Sequence, residues 1–333
     1  MIGAEYLLSQ SLAATTRADP TNRIRPANAW MSLCRLVSSQ LAIKDLKKAR
    51  RLVWSAVRFP ATTLSWLTAL ERVRVRAGVE TIPYRLARKA SQKFLHHSLP
   101  RSATINLLTT HYERLLATLG AQFVGALLRD KVVVLGEIKS RSAARYRLCL
   151  GRVALNPREG ELVVHLVQMQ DNRRVASLTV VVGALHRGGA PDLWIGGLQG
   201  CQGPDSKAVT VQATRDLWGL RPKDLLIHVA YALHDVFDAA NIKAISNAGH
   251  ALRPTGLEKA GWHADYDAFW RELGGEPIPG DCFRLPKVRH RRSIEEVPSA
   301  KRNAWRARYA LVDEMTATIR RLAIGHSPAP PQG

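Results

Sequence analysis

The stretch DLWIGGLQGCQGPDSKAVTVQATRDLWGLRPKDLLIHVAYALHDVFDAANIKAISN, Asp192 to Asn247, decides the fold: it reads strand, glycine-rich turn, two helices, strand. Leu193-Trp194-Ile195 is a short apolar run of strand type. The following residues, Gly196 to Pro204, hold Gly196, Gly197, Gly200 and Gly203, which predicts a turn rather than regular structure. Ser206 to Trp218 places Val209, Ala213 and Leu217 at helical spacing with Gly219 at the end, and Pro222-Lys223-Asp224 starts a second helix. That helix carries Leu225, Leu226, Val229, Leu233, Val236, Phe237 and Ala240 on one stripe, and Ile242 to Asn247 returns as a strand. A helix between two strands of one sheet requires a crossover, hence one parallel pair.

Working outward, the apolar period changes at Lys131. Before it, Asn28 to Phe59, Thr62 to Ala77 and a segment opened by Ile82-Pro83-Tyr84-Arg85 have helical spacing and abundant Lys and Arg. A long helix follows from Ser102 to Arg129, carrying His111 and Tyr112. From Lys131 on, five runs read as strands: Lys131 to Ile138, Tyr146 to Ala154, Glu161 to Met169, Val175 to Leu185 and Asp192 to Leu198. Their connectors are short, which implies an antiparallel meander. Ser293-Ile294-Glu295-Glu296 resembles a helix N-cap, with a helix to Ile324. The expected class is therefore α/β of the α+β kind, a helical N-terminal part packed on a mixed, mainly antiparallel sheet with one β-α-β crossover. Residues 1–30 read as a disordered arm, 31–130 as the helical region, 131–325 as the mixed α/β domain and 326–333 as a disordered tail.

The 333 residues carry 49 Lys+Arg against 27 Asp+Glu, a net charge of +22 that attracts nucleic acid, anionic lipid or phosphorylated ligands. Lys301 to Tyr309, with Trp305 among its arginines, is the best single patch, and the basic N-terminal helices suit a membrane surface. Cys34, Cys149, Cys201 and Cys282 stand far apart, which argues against a zinc cluster or a disulfide framework and suits a reducing compartment. No His-x-x-x-His metal spacing is present, so no metal is expected. No apolar run approaches a transmembrane span, and the expected location is cytoplasmic, with peripheral attachment to the inner membrane through charge left open.

Several separate marks occur in one order: His111-Tyr112, Arg158-Glu159-Gly160-Glu161-Leu162, Ile195 to Gly200, and Gly219-Leu220-Arg221-Pro222-Lys223. They continue with Ser246-Asn247 and His250, Tyr266 to Trp270, Glu272 to Gly275, and Lys301-Arg302 with Arg306, Arg308 and Tyr309. Over about Tyr84 to Tyr309 this resembles the bacterial VirK/YbjX family, a domain of unknown function. The resemblance implies a cytoplasmic Gram-negative protein connected with virulence, envelope stress and tolerance of antimicrobial peptides. It implies no catalytic residues. The order of elements also looks like an acyl-CoA N-acyltransferase of the GNAT type, in which the turn after the fourth strand holds the CoA pyrophosphate. Gln199-Gly200-Cys201-Gln202-Gly203 departs from the usual Gln/Arg-x-x-Gly-x-Gly/Ala by placing Gln202 where the first glycine belongs. That leaves the analogy at fold level.

Acyl transfer to an amine needs a base for the ammonium proton, donors for the oxyanion and an acid for the leaving thiolate. The chain offers Glu161 or His250 as base and Tyr266 as acid. Gln199, Gly200, Gly203 and Arg221, with Ser246 and Asn247 at the next strand end, are the candidate ligand-binding residues for an acyl donor such as acyl-CoA. The absence of a G-x-S-x-G elbow disfavours a serine hydrolase. A second class stays open beside the enzyme, a non-enzymatic basic protein that binds an anionic lipid surface or nucleic acid.

Overall fold

The computed structural model describes residues 26–42, 45–142, 144–153, 158–252 and 265–324. The first 25 residues of the expected arm and the expected C-terminal tail lie outside them. The N-terminal region is helical: α1 (Pro26–Ala42), α2 (Leu46–Arg58), α3 (Pro60–Arg76), the short α4 (Tyr84–Ala87) and the long α5 (Arg101–Leu128). Pro60 separates α2 from α3 because proline fits the first turn of a helix but not its interior. Gly120 (φ 78°, ψ 169°) kinks α5, a conformation that disfavours any residue with a Cβ.

Five long strands follow: β1 (Val133–Lys139), β2 (Arg145–Arg152), β3 (Leu162–Gln168), β4 (Arg173–Gly183) and β5 (Asp192–Gly200). Then come α6 (Ser206–Asp216), α7 (Pro222–Val236), β6 (Ile242–Ile245), α8 (Tyr266–Glu272), β7 (Glu276–Ile278), β8 (Cys282–Arg284) and α9 (Arg302–Ile324). The strands form one sheet in the order β1-β2-β3-β4-β5-β6-β8-β7. Every neighbouring pair is antiparallel except β5 with β6, the parallel pair that the crossover through α6 and α7 requires.

β4 is buried without interruption from Val175 to Gly183, as expected of a strand covered on both faces. α5 packs on it, and His111 Nδ1 accepts the Val182 amide at 3.2 Å; α7 packs on β4 and β5 and in turn against α9. α3 joins α5, so one hydrophobic core runs from Leu33 on α1 to Ile319 on α9. The helical part is thus packed on the sheet as expected. Three details differ from the sequence reading. The glycine-rich stretch stays in strand conformation through Gly200; α9 starts at Arg302 rather than Ser293, behind Pro298; and β7 and β8 add a hairpin that the sequence does not announce.

Candidate functional site

β5 and β6 pair over only three positions, Leu193 with Ile242, Trp194 with Lys243 and Ile195 with Ala244. β6 ends at Ile245 while β5 continues to Gly200, so beyond Ile195 no further pair joins β5 to β6. On the β4 side the register shifts: Ile195 faces Val180 but Gly197 faces Thr179, which makes Gly196 a bulge residue. The two strands therefore part where one of them is bulged, and polar side chains fill the opening.

Glu159, His250 and Tyr266 meet there, exposed by only 3%, 1% and 5%. Gly196 and Gly197 admit them. A Cβ on Gly196 would lie 1.7 Å from the Glu159 carbonyl oxygen, and one on Gly197 would lie 2.3 Å from Glu159 Oε2. His250 Nδ1 accepts the Leu252 amide at 3.2 Å, which places the proton of a neutral ring on Nε2. Nε2 lies 3.6 Å from Glu159 Oε1, and the ring also hydrogen-bonds the Gly196 backbone. Burial lowers the His250 pKa to about 4, against the opposing pull of Gly196, so the ring is neutral at pH 7. The Tyr266 ring stacks on His250 at 5.5 Å, and its hydroxyl accepts the Leu198 amide at 3.4 Å. Burial, and then the charge of Glu159, raise the Tyr266 pKa to about 12 and keep the phenol protonated. Gln199 Nε2 stands 3.4 Å from both Glu159 carboxylate oxygens.

The remaining sequence candidates divide by what they touch. Asn247 Oδ1 accepts the Tyr266 amide at 2.9 Å, its Nδ2 donates to Asp265 Oδ1 at 3.0 Å, and its own amide donates to Asp267. Ser246 Oγ accepts the Gly249 amide at 3.0 Å. Both residues therefore set the α8 start and the His250 turn, and act on the site through Tyr266 and His250. Arg221 is held by Asp224 at 2.7 Å and by Glu272, tying the start of α7 to the end of α8. Gly200 has no positive φ, and a Cβ there would make an ordinary 3.6 Å contact with Lys223 Cε; Gly203 has φ 103° with open space around it. The close approach on β5 is made by Glu159, at Gly196 and Gly197. Lys223, which the sequence reading did not place among the ligand-binding residues, lies beside Gly200 partly buried, with burial and then Arg221 lowering its pKa.

Glu161 is not brought to His250 and Tyr266. Its carboxylate pairs with Lys89 and accepts the Tyr112 hydroxyl at 2.6 Å, in a buried group completed by Arg152 and His111. The Lys301 to Tyr309 patch is also largely engaged. Arg308 donates to Trp218 O at 3.0 Å and Arg302 to Val297 O at 3.0 Å, so these two guanidinium groups close carbonyls of their own chain. Among the described residues no group of three His, Cys, Asp or Glu side chains is placed to hold a metal, and no helix is long and apolar enough to cross a membrane.

A family model described as "Protein of unknown function (DUF535)" matches residues 42–321. The "Uncharacterized protein YbjX" of Escherichia coli (strain K12) is 27% identical over 256 residues, covering 76% of this chain and 77% of that protein. Two uncharacterized proteins of Haemophilus influenzae are 27% identical over 176 residues and 28% identical over 174, covering 57% and 56% of their own lengths. These bear out the VirK/YbjX resemblance. No solved structure matches.

Proposed function

The chain belongs to the DUF535 family, and we propose, from the residues gathered where β5 parts from β6, that it binds an acyl-CoA thioester and transfers the acyl group to an amine. The observation that carries the reading is the bulged edge of β5 beyond Ile195, beside Glu159 and Tyr266. Beyond Ile195 β5 has no partner strand on this side among the described residues, and its backbone is met by the Tyr266 hydroxyl and the His250 ring. An extended, amide-bearing chain such as the pantetheine arm of CoA would take over these contacts by backbone pairing. A bulge turns backbone donors out of the ladder, where they can face a developing oxyanion. Lys223, beside Gly200 at the far end of β5, suits the CoA phosphates.

The roles shift from those expected. With Nδ1 engaged by the Leu252 amide and its ring bonded to the Gly196 backbone, His250, 3.6 Å from Glu159, holds the β5 bulge rather than removing a proton, and Glu159 is the base. The amine attacks the thioester carbonyl, the new C–N bond forms, and the surplus proton on nitrogen goes to the Glu159 carboxylate. The C–S bond then breaks and the thiolate takes a proton from the Tyr266 hydroxyl. The products are an amide and free CoA. A cytoplasmic setting belongs to the same proposal. So does the link to virulence, envelope stress and antimicrobial-peptide tolerance, which rests on the family resemblance alone.

The test is a thermal-shift and calorimetric titration of the full chain with CoA, acetyl-CoA and longer acyl-CoAs, followed by an assay of thiol release with small amines. Binding should raise Tm in proportion to ligand excess over Kd. Glu159→Gln and Tyr266→Phe should each lower turnover about 100-fold or more with binding retained. Absence of any shift with every CoA compound, or full turnover in both variants, overturns the proposal.

A further inference from the structure

A second site stands apart from the β5–β6 opening, on the helical face. A recess of about 720 Å³ lies between α2, α4 and the start of α5. Arg51, Arg85, Arg88, Arg101 and Arg158 line it together with Lys89, and among the described residues no Asp or Glu does. Lys89 is already paired with Glu161 behind the wall, so the arginines set the charge that a ligand meets. The aromatic rings of the recess hold two of them in place: Arg101 lies 3.4 Å over the Phe59 ring and Arg88 5.7 Å over Tyr84. Arg88 Nε is buried without a hydrogen-bond partner among the described residues. Asp45 offsets Arg51 in part, and an anion of the phosphate kind would meet the arginines that line the recess with bidentate hydrogen bonds.

The recess opens beside an apolar surface. α2 turns Ala49, Leu52, Ser55 and Ala56 into the core. On another face it leaves Leu46, Val53, Trp54 and Val57 outside, with Trp54 67% and Val57 71% exposed. These positions follow i, i+7, i+8 and i+11, so they form one stripe. Arg50, at i+4, lies within this stripe, and Lys47, Arg51 and Arg58 on the same helix are exposed along its flank. Trp54 belongs to both features, since it lines the recess and also stands in the stripe. A soluble nucleic acid or nucleotide would meet the arginines but leave the stripe in water. A membrane interface meets both, because apolar side chains and tryptophan enter the headgroup boundary while arginines bind the phosphates.

We propose that α2 lies in the surface of a membrane containing anionic phospholipid, its apolar stripe inserted and a lipid phosphate seated among Arg51, Arg88, Arg101 and Arg158. The proposal does not rest on the acyl-transfer reading, and the two sites share no residue although Arg158 directly precedes Glu159 in the chain.

The experiment is co-sedimentation of the full chain with phosphatidylcholine vesicles and with vesicles in which roughly a quarter of the lipid is phosphatidylglycerol. Binding should be at least tenfold tighter to the anionic vesicles and should fall with added salt. Trp54→Ser and Val57→Asp alter exposed positions, so both should fold and weaken vesicle binding about tenfold. Arg88→Gln with Arg101→Gln should weaken it about 25-fold, roughly fivefold per cation, and flatten the salt dependence. If that pair fails to fold by circular dichroism, Arg51→Gln with Arg158→Gln supplies the same reading. Equal binding to neutral and anionic vesicles overturns the proposal. So does wild-type vesicle binding by the stripe variants, including the case in which those variants change only the oligomeric state. Binding of short RNA without vesicle binding also overturns it.

Discussion

Glu161→Gln should destabilise the protein more than Lys89→Met, although the two residues form one ion pair. The Glu161 side chain is 1% exposed and that of Lys89 6%. Arg152, 7% exposed, completes the group, and its other carboxylate partner, Asp130 at 3.0 Å, is itself 77% exposed and screens it weakly. Two buried cations thus share one buried anion. Burial works to raise the Glu161 pKa, but Lys89, Arg152 and His111 outweigh it and the carboxyl ends below its ordinary range. Burial pulls Lys89 below its own range despite Glu161, which shows that the ammonium is the less well compensated member. Removing the carboxylate leaves two cations without a buried anion, and should cost about 3–5 kcal/mol. Removing Lys89 leaves Glu161 with Arg152 and the Tyr112 hydroxyl, and should cost roughly half as much. Urea unfolding of both variants and of the double variant measures this, since residues in one network do not add. A larger loss for Lys89→Met, or a loss under about 1 kcal/mol for Glu161→Gln, would refute the charge count.

Burial holds His111 and His250 at a pKa of about 4 in the folded chain, below the ordinary 6.5, so unfolding at acid pH takes up protons. Their contribution is complete above about pH 6.5 and is lost as pH falls toward 4, with a slope of up to about 1.4 kcal/mol per pH unit for each, read by urea midpoints at pH 7 and 5. Gly196→Ala would put a Cβ into the Glu159 carbonyl, and should cost about 3 kcal/mol or more by displacing residues 158–160. Gly200→Ala meets only an ordinary contact with Lys223 and should stay within about 0.5 kcal/mol of wild type by the same measurement.

The elements that the sequence shows plainly are those whose period is long enough to count. The run from Leu107 to Leu127 and the strands β1 to β4 each repeat their pattern over seven residues or more, and all fall within a few residues of the expected bounds. β7 and β8 span three residues each, too few for alternation to register, and Pro277 in β7 argues against a strand on composition. Ser293 offers a helix-start pattern, but its hydroxyl bonds only locally, to Glu295, and Pro298 interposes before the helix begins at Arg302. The glycines after Ile195 misled in the opposite direction. Four of them suggest a turn, whereas only Gly203 lies in one; Gly196 and Gly197 fall inside the strand expected over Asp192 to Leu198, and their missing Cβ admits another segment of chain.

The candidate site was visible as residue types and hidden as partners. His250 and Tyr266 stand out as polar residues after a strand end, and they do stack on each other. Glu161 stood out for the same reason, yet the carboxylate beside them belongs to Glu159. The pair flanks Gly160, and nothing local separates them; what separates them is tertiary. Lys89, 72 residues before Glu161, takes that carboxylate, while the glycine pair on β5 makes room only for Glu159. A bulge is likewise a property of two strands, because it exists only when β5 spends one more residue than β4 on the same length. The two carboxylates should therefore answer mutation in opposite ways. Glu161→Gln removes the anion from a buried cation pair and is felt as lost stability. Glu159→Gln keeps the shape beside Gly197 and leaves Gln199 Nε2 with an acceptor, so the fold holds and only proton transfer is lost. Loss of stability from both, with turnover per folded molecule unchanged, would make both carboxylates structural and remove the base from the acyl-transfer reading.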